Sequence, residues 1–256
     1  MKLVARAYLA LLLLFLLGPA AVVAFDSINS ATSFPSPFER ATLRWYAALA
    51  GHPEFLDALL VSALIAVAAA GIATVGGFLA VLALRRMPPA LREGVATALV
   101  GPLLVPEIVV GLAVLQVARL AAVPLGLGLL IGTHAVFVLP VALRLVLAGV
   151  ARLDPGLEEA ARSMGAGPVR AAWLITVPLL RPSLLASFVL SMVLSFVNLP
   201  LSMFLTTAQT ATLPVIVFAY MESRIDPMVA AVATLVMLFA TAAALAVNRL
   251  AKVRLA

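Results

Sequence analysis

Six long apolar runs, separated by short polar stretches, dominate the sequence: residues 3–24, 56–84, 95–117, 127–150, 183–205 and 228–247. About 20 apolar residues in a helix cover the hydrocarbon core of a bilayer. A helix also satisfies its own backbone groups there, where no water is available to do so. The pattern therefore predicts an all-α integral membrane protein with six transmembrane helices, in a single domain over 256 residues. The polar stretch 151–182 predicts a helix, a sharp turn and a second helix. Asp154 and Pro155 suit an N-cap and first helical residue, with Glu158 and Glu159 near the positive end of the helix. Gly165 and Gly167 supply backbone freedom at the turn, and Pro168 starts a helix running towards Ile175. The connection 25–55 predicts a short amphipathic helix over 42–50, with Trp45 and Tyr46 suited to a membrane interface, while 206–227 reads as a polar connection.

The first run begins with Lys2 and Arg6 and has small residues near Ala20, Ala21 and Ala24, a pattern shared by signal peptides and first spans. Its length, and the spans that follow, favour an uncleaved first span. Six spans place both termini on one side of the membrane, and the positive-inside rule identifies that side. Lys2, Arg6, Arg85, Arg86, Arg92, Arg152, Arg162, Arg170, Arg181, Arg249, Lys252 and Arg254 fall with the termini, whereas only Arg40, Arg44, Arg119 and Arg224 fall opposite. The termini and the 151–182 hairpin are expected to be cytoplasmic, with loops 25–55 and 206–227 outside.

Composition sharpens this reading. At 64% hydrophobic and 11% charged residues, the chain lies far from soluble proteins. Its net charge of +6 is spread over the ends of apolar runs, which argues for membrane orientation and against nucleic acid as a partner. There is no cysteine, which excludes disulfides, thiol catalysis and thiolate-bound metal. The two lysines, Lys2 and Lys252, stand outside any phosphate-binding loop pattern, so the sequence carries no nucleotide-hydrolysing motif of that type.

Few residues within the spans carry chemistry. Apart from Asp57 at the outer edge of the second run, Glu107 is the one acid inside a span, next to Pro106 and near Pro102, which remove backbone donors and predict a kink. A carboxylate there costs about 3 kcal/mol on insertion scales, so it either ties helices together or lines a polar path. His134 has no second ligand at metal-binding spacing and reads as a hydrogen-bonded histidine in preference to a proton relay. Ser191, Ser195 and Asn198 form a polar stripe that suits interhelical bonding or a cavity wall equally. Arg144 suits a side chain reaching for the inner interface. No catalytic triad, paired carboxylates or zinc-ligand pattern occurs, which disfavours an intramembrane enzyme. A secondary transporter, with ion-coupling charges in two related halves, finds only Glu107 to support it.

The hairpin closely resembles the cytoplasmic signature of binding-protein-dependent ABC importer permeases. That signature is EAA, three residues, Gly, nine residues, then I-x-L-P, matched here by Glu159, Ala160, Ala161, Gly165, Ile175 and Pro178, with Val177 in the leucine position. FPSPFERATLRWYAAL, PLLVPEIVVGLAVL and TLPVIVFAYMESRIDPMVAAVATL look like the spermidine/putrescine branch, in its second-permease form. The resemblance implies a type I importer permease fold whose hairpin is a coupling helix, in a bacterial inner membrane. It implies two ATP-binding cassette subunits, a second permease forming a heterodimer, and a periplasmic or lipid-anchored solute-binding protein. It implies no ATPase activity of the chain's own, and no cofactor is expected; Glu107, Ser195 and Asn198 are the candidates for a translocation path, with interhelical bonding as the alternative for each. Ser195-Phe196-Val197-Asn198 stands where many relatives carry an acid after Ser-Phe. The resemblance points to a polyamine such as spermidine or putrescine as the cargo, with ferric ion, a phosphonate or another small polar solute as alternatives that this departure leaves open.

Overall fold

The computed structural model describes residues 2–33, 37–224 and 226–252. Residues 34–36 of the FPSPFER stretch and Arg254 of the basic C-terminal cluster lie outside them. The described residues are helical apart from loops and one isolated bridge, Asn29 to Ala41. They comprise α1 (Lys2–Asp26), α2 (Arg44–Ala50), α3 (Pro53–Leu84), α4 (Pro89–Val100), α5 (Glu107–Leu120), α6 (Leu127–Val150), α7 (Pro155–Ser163), α8 (Pro168–Ala171), α9 (Val177–Phe196), α10 (Leu199–Leu205), α11 (Leu213–Ser223) and α12 (Met228–Lys252). Five helical stretches are long and apolar enough to cross a membrane, and a bent pair makes a sixth span if it counts as one. The chain divides into two compact units, residues 1–59 with 213–242, and residues 60–212 with 243–256.

In the first unit, α1 is exposed along its apolar length, the surface expected of a helix solvated by lipid. The loop after it is organised by buried Asn29. Its side-chain oxygen accepts from the backbone N–H groups of Ala31 (3.3 Å) and Glu39 (3.0 Å), and its amide donates to the Pro37 carbonyl (3.1 Å). The expected amphipathic helix is α2. Trp45 donates to the Asn29 carbonyl (2.7 Å) and Tyr46 shares a 2.8 Å hydrogen bond with Ser27, so both aromatic side chains are anchored by their polar ends. Asp226, an acid of the 206–227 connection, is committed to structure. It accepts from the Tyr220 hydroxyl (2.7 Å) and from the Met228 backbone (3.0 Å), capping α12. The connection is not polar throughout as expected. LPVIVFAYM folds as the apolar helix α11, whose 11 residues span only about 16 Å, too short to cross.

The second unit is built around α6, whose buried side chains Leu130, Val138, Leu143 and Val146 meet α3, α9 and α10. Close approach depends on small residues. A side chain at Gly77 would sit 3.0 Å from the Leu143 backbone nitrogen, and one at Gly149 would sit 2.7 Å from Ser183 Cβ. On α9, Ser187, Ser191 and Ser195 recur every four residues and are all buried, with Ser187 3.3 Å from Thr74 of α3.

Two spans differ from expectation. The third, expected as one kinked helix over 95–117, is α4 with a 3-10 turn (Gly101–Leu104), then α5, bent by 98° at the break. Val105 and Pro106 are extended, and Pro102 and Pro106 cannot donate to the preceding turn, so the helix stops and restarts. The fifth, expected over 183–205, instead starts at Pro168 and runs through a π-helical turn (Ala172–Thr176) to Phe196. It breaks at Asn198 before α10. The widened turn lies just before Pro178, which lacks the donor a regular turn requires.

Candidate functional site

The hairpin is built from its backbone outward. Asp154 caps α7 by accepting from the Gly156 N–H (2.9 Å). At the other end, Gly165 has φ +86°. The Ala166 N–H bonds the Ala161 carbonyl (3.0 Å), and the Gly165 N–H bonds that of Arg162 (2.9 Å). This double closure requires a left-handed residue after the helix, and glycine supplies it without a Cβ penalty. Gly167 turns out to need no such freedom, with φ −65° ahead of α8. Of the signature residues, Ala161 is buried, Ile175 and Pro178 are half-buried, and Glu159, Ala160 and Gly165 are exposed. A short helix thus presents small and acidic residues outward while its far end is joined by a rigid turn to the long helix of the fifth span.

Glu158, one position before the signature, carries the hairpin's tertiary contact. Its carboxylate accepts two hydrogen bonds from the Arg85 guanidinium just beyond α3, at 3.0 and 3.1 Å, and another from the Thr176 hydroxyl. Thr176 is fully buried at the end of the π-helical turn. Partial burial works to raise the Glu158 pKa, but the Thr176 and Arg85 hydrogen bonds and the charges of Arg85 and Arg162 outweigh it, and the carboxyl titrates below its ordinary value. Clefts of about 250 Å³ and 560 Å³ flank this pair, and both are lined in part by Arg85 and Glu158. The sequence offered two clues to it: the basic turn Arg85-Arg86 falls on the same side as the hairpin, and two adjacent acids begin α7.

The interior residues converge on a second cluster. Glu107 is the first residue of α5, at the 98° break and half-buried. Asn198 lies at the break between α9 and α10. Its amide donates to Glu107 (2.9 Å) while its oxygen accepts from the Leu201 N–H (3.0 Å), capping α10. The Ser202 hydroxyl donates to the Asn198 carbonyl (2.7 Å) and lies 3.2 Å from one ring nitrogen of His134. The other ring nitrogen lies 2.8 Å from Ser195. Ser195, Asn198, Ser202 and His134 are buried, so Glu107 is the only member of this chain of contacts with substantial exposure. His134 is the hydrogen-bonded histidine that its isolation in sequence indicated. Ser202 was not singled out from sequence, because a serine two residues past a proline carries no signal until the helix break is known. Arg144 is exposed on α6. No group of three or more His, Cys, Asp or Glu poised to hold a metal exists among the described residues.

No protein-family model matches the sequence. Individual proteins do. The putrescine transport system permease protein PotI of Escherichia coli K12 is 28% identical over 230 residues, covering 87% of this chain and 82% of its own length. The spermidine/putrescine transport system permease protein PotC of the same organism is 28% identical over 238 residues, covering 93% and 90%. A Salmonella typhimurium permease named for 2-aminoethylphosphonate transport is 29% identical over 213 residues, covering 82% and 79%. Among solved structures, a bacterial ABC transporter that imports the acidic polysaccharide alginate superposes with a TM-score of 0.70 at 14% identity. That match covers 97% of this chain and 94% of the other, a likeness of fold.

Proposed function

The chain is a permease subunit of the ABC importer class, and from that premise we propose that it lines, with a second permease, the path of a small alkylammonium solute. An extracytoplasmic binding protein delivers the solute and two ATPase subunits drive its passage. The observation that carries the drive is the hairpin, in which exposed α7 is locked by the Gly165 turn to the helix of the fifth span. Such a rod transmits displacement because its closing turn is fixed by two backbone hydrogen bonds. In this reading Glu159 and Ala160 meet the ATPase, while buried Ala161, with Gly165, Ile175 and Pro178, holds the angle and root of the rod. The arginine and lysine bias sets both termini and the hairpin in the cytoplasm of a bacterial cell.

Chemistry supports the solute class. Spermidine, putrescine and 2-aminoethylphosphonate, which name the relatives, share a primary ammonium group. Glu107 is the half-buried acid of the interior cluster, held by Asn198 through one oxygen with its other oxygen available to a cation. Asn198 and Ser195 act here as supports for that carboxylate and for the helix break behind it. Glu107→Gln removes the charge at nearly constant shape and is expected to cut uptake about tenfold, equivalent to ~1.4 kcal/mol. The direct test purifies the tagged chain from membranes, asks whether an ATPase accompanies it, and identifies the binding protein's ligand by native mass spectrometry. A solo protein would overturn the importer assembly, and a ligand without an ammonium group would overturn the cargo class.

A further inference from the structure

α7 is joined to α9 by covalent chain through the Gly165 turn and α8, but its connection to α3 rests on side chains. We propose that Arg85, Glu158 and Thr176 form a clamp that fastens the end of α3 to the hairpin, so that displacement of α7 moves two spans together. The inference rests on the importer reading above.

The geometry is specific. The Arg85–Glu158 contact is bidentate, which fixes orientation as well as distance, because a guanidinium and a carboxylate meet edge to edge in one plane. The same carboxylate takes the Thr176 hydroxyl, so one group joins the end of α3, the first turns of α7 and the π-helical turn of the fifth span. The π-helical turn puts Thr176 on the buried side, facing α7, in the I-x-L-P segment where the signature leaves the residue free. Without the clamp, α7 would still carry the fifth span, and α3 would lag. Arg85, Glu158 and Thr176 are thus positioning residues. They touch no solute and act through the helices they join.

The experiment uses the full complex in proteoliposomes and reads solute taken up per ATP hydrolysed. Wild-type protein must first show binding-protein-stimulated hydrolysis, and its absence there would overturn the importer reading independently of the clamp. Given that, Arg85→Glu and Glu158→Arg are each expected to lower the ratio at least fivefold while the ATPase subunits still co-purify. The double reversal should recover at least half of the loss. Thr176→Val, which removes the hydroxyl at nearly constant volume, should lower the ratio about twofold and stands as the test if either reversal fails to assemble. Variants that hydrolyse and transport in the wild-type ratio would overturn the clamp. A loss that the double reversal leaves uncorrected would overturn it as well.

Discussion

At the scale of single residues, the interior cluster shows how one amide does two jobs. Asn198 caps α10 with its oxygen and donates to Glu107 with its nitrogen. Asn198→Leu would leave a helix start uncapped and a carboxylate oxygen without its donor, each worth about 1–2 kcal/mol. The expected outcome is a fall in the thermal midpoint of the detergent-purified protein, larger than that of Ser191→Ala, whose hydroxyl has no hydrogen-bond partner to lose. Glu158 sets a pH dependence of defined sign. Its folded-state pKa lies below the ordinary 4.5, so its contribution is fully present above 4.5 and is lost as pH falls through the depressed value. Both partners are partly exposed, which limits that contribution to about 1 kcal/mol or less. The stability difference between wild type and Glu158→Gln should therefore stay constant across the neutral range and shrink only in acid. These partnerships were hidden in the sequence: Glu158 and Arg85 are 73 positions apart, Asn198 and Glu107 are 91, and no local pattern links them.

At the scale of elements, prolines and glycines decided where helices stop, and their effects were read unevenly. Asp154-Pro155 and Gly165 mark the ends of α7, because capping is a local event completed within one turn. The proline effects before α5 and α9 depend on what the chain does next. Pro102 and Pro106 break the third span outright, whereas the helix passes Pro178 by widening one turn. The boundary of the fifth span shifted for that reason. Helix packing makes its own prediction. Gly149→Leu drives a side chain into Ser183 across the α6–α9 contact and should destabilise the protein by about 1–3 kcal/mol, seen as aggregation or a lowered midpoint in detergent. Gly132→Ala, with open space at its Cβ, should leave the midpoint within error.

At the scale of the whole molecule, the absence of cysteine makes topology directly measurable. Ser163→Cys, at the exposed end of α7, should react with a membrane-impermeant maleimide only in inverted vesicles, and Ser223→Cys, at the exposed end of α11, only in intact cells stripped of outer barriers. The reverse pattern would invert the proposed orientation. Fold class, the number of apolar runs and the hairpin were legible in the sequence, because lipid solvation imposes length and hydrophobicity on each span and capping imposes residue types on each end. What the sequence left open was decided by tertiary structure. It folded LPVIVFAYM into a helix too short to cross, bent the third span by 98° at Glu107, and placed His134 between Ser195 and Ser202. The physical reason is common to all three. A polar or helix-breaking residue in an apolar bundle must find a partner, and the nearest partner belongs to a segment that only folding brings near.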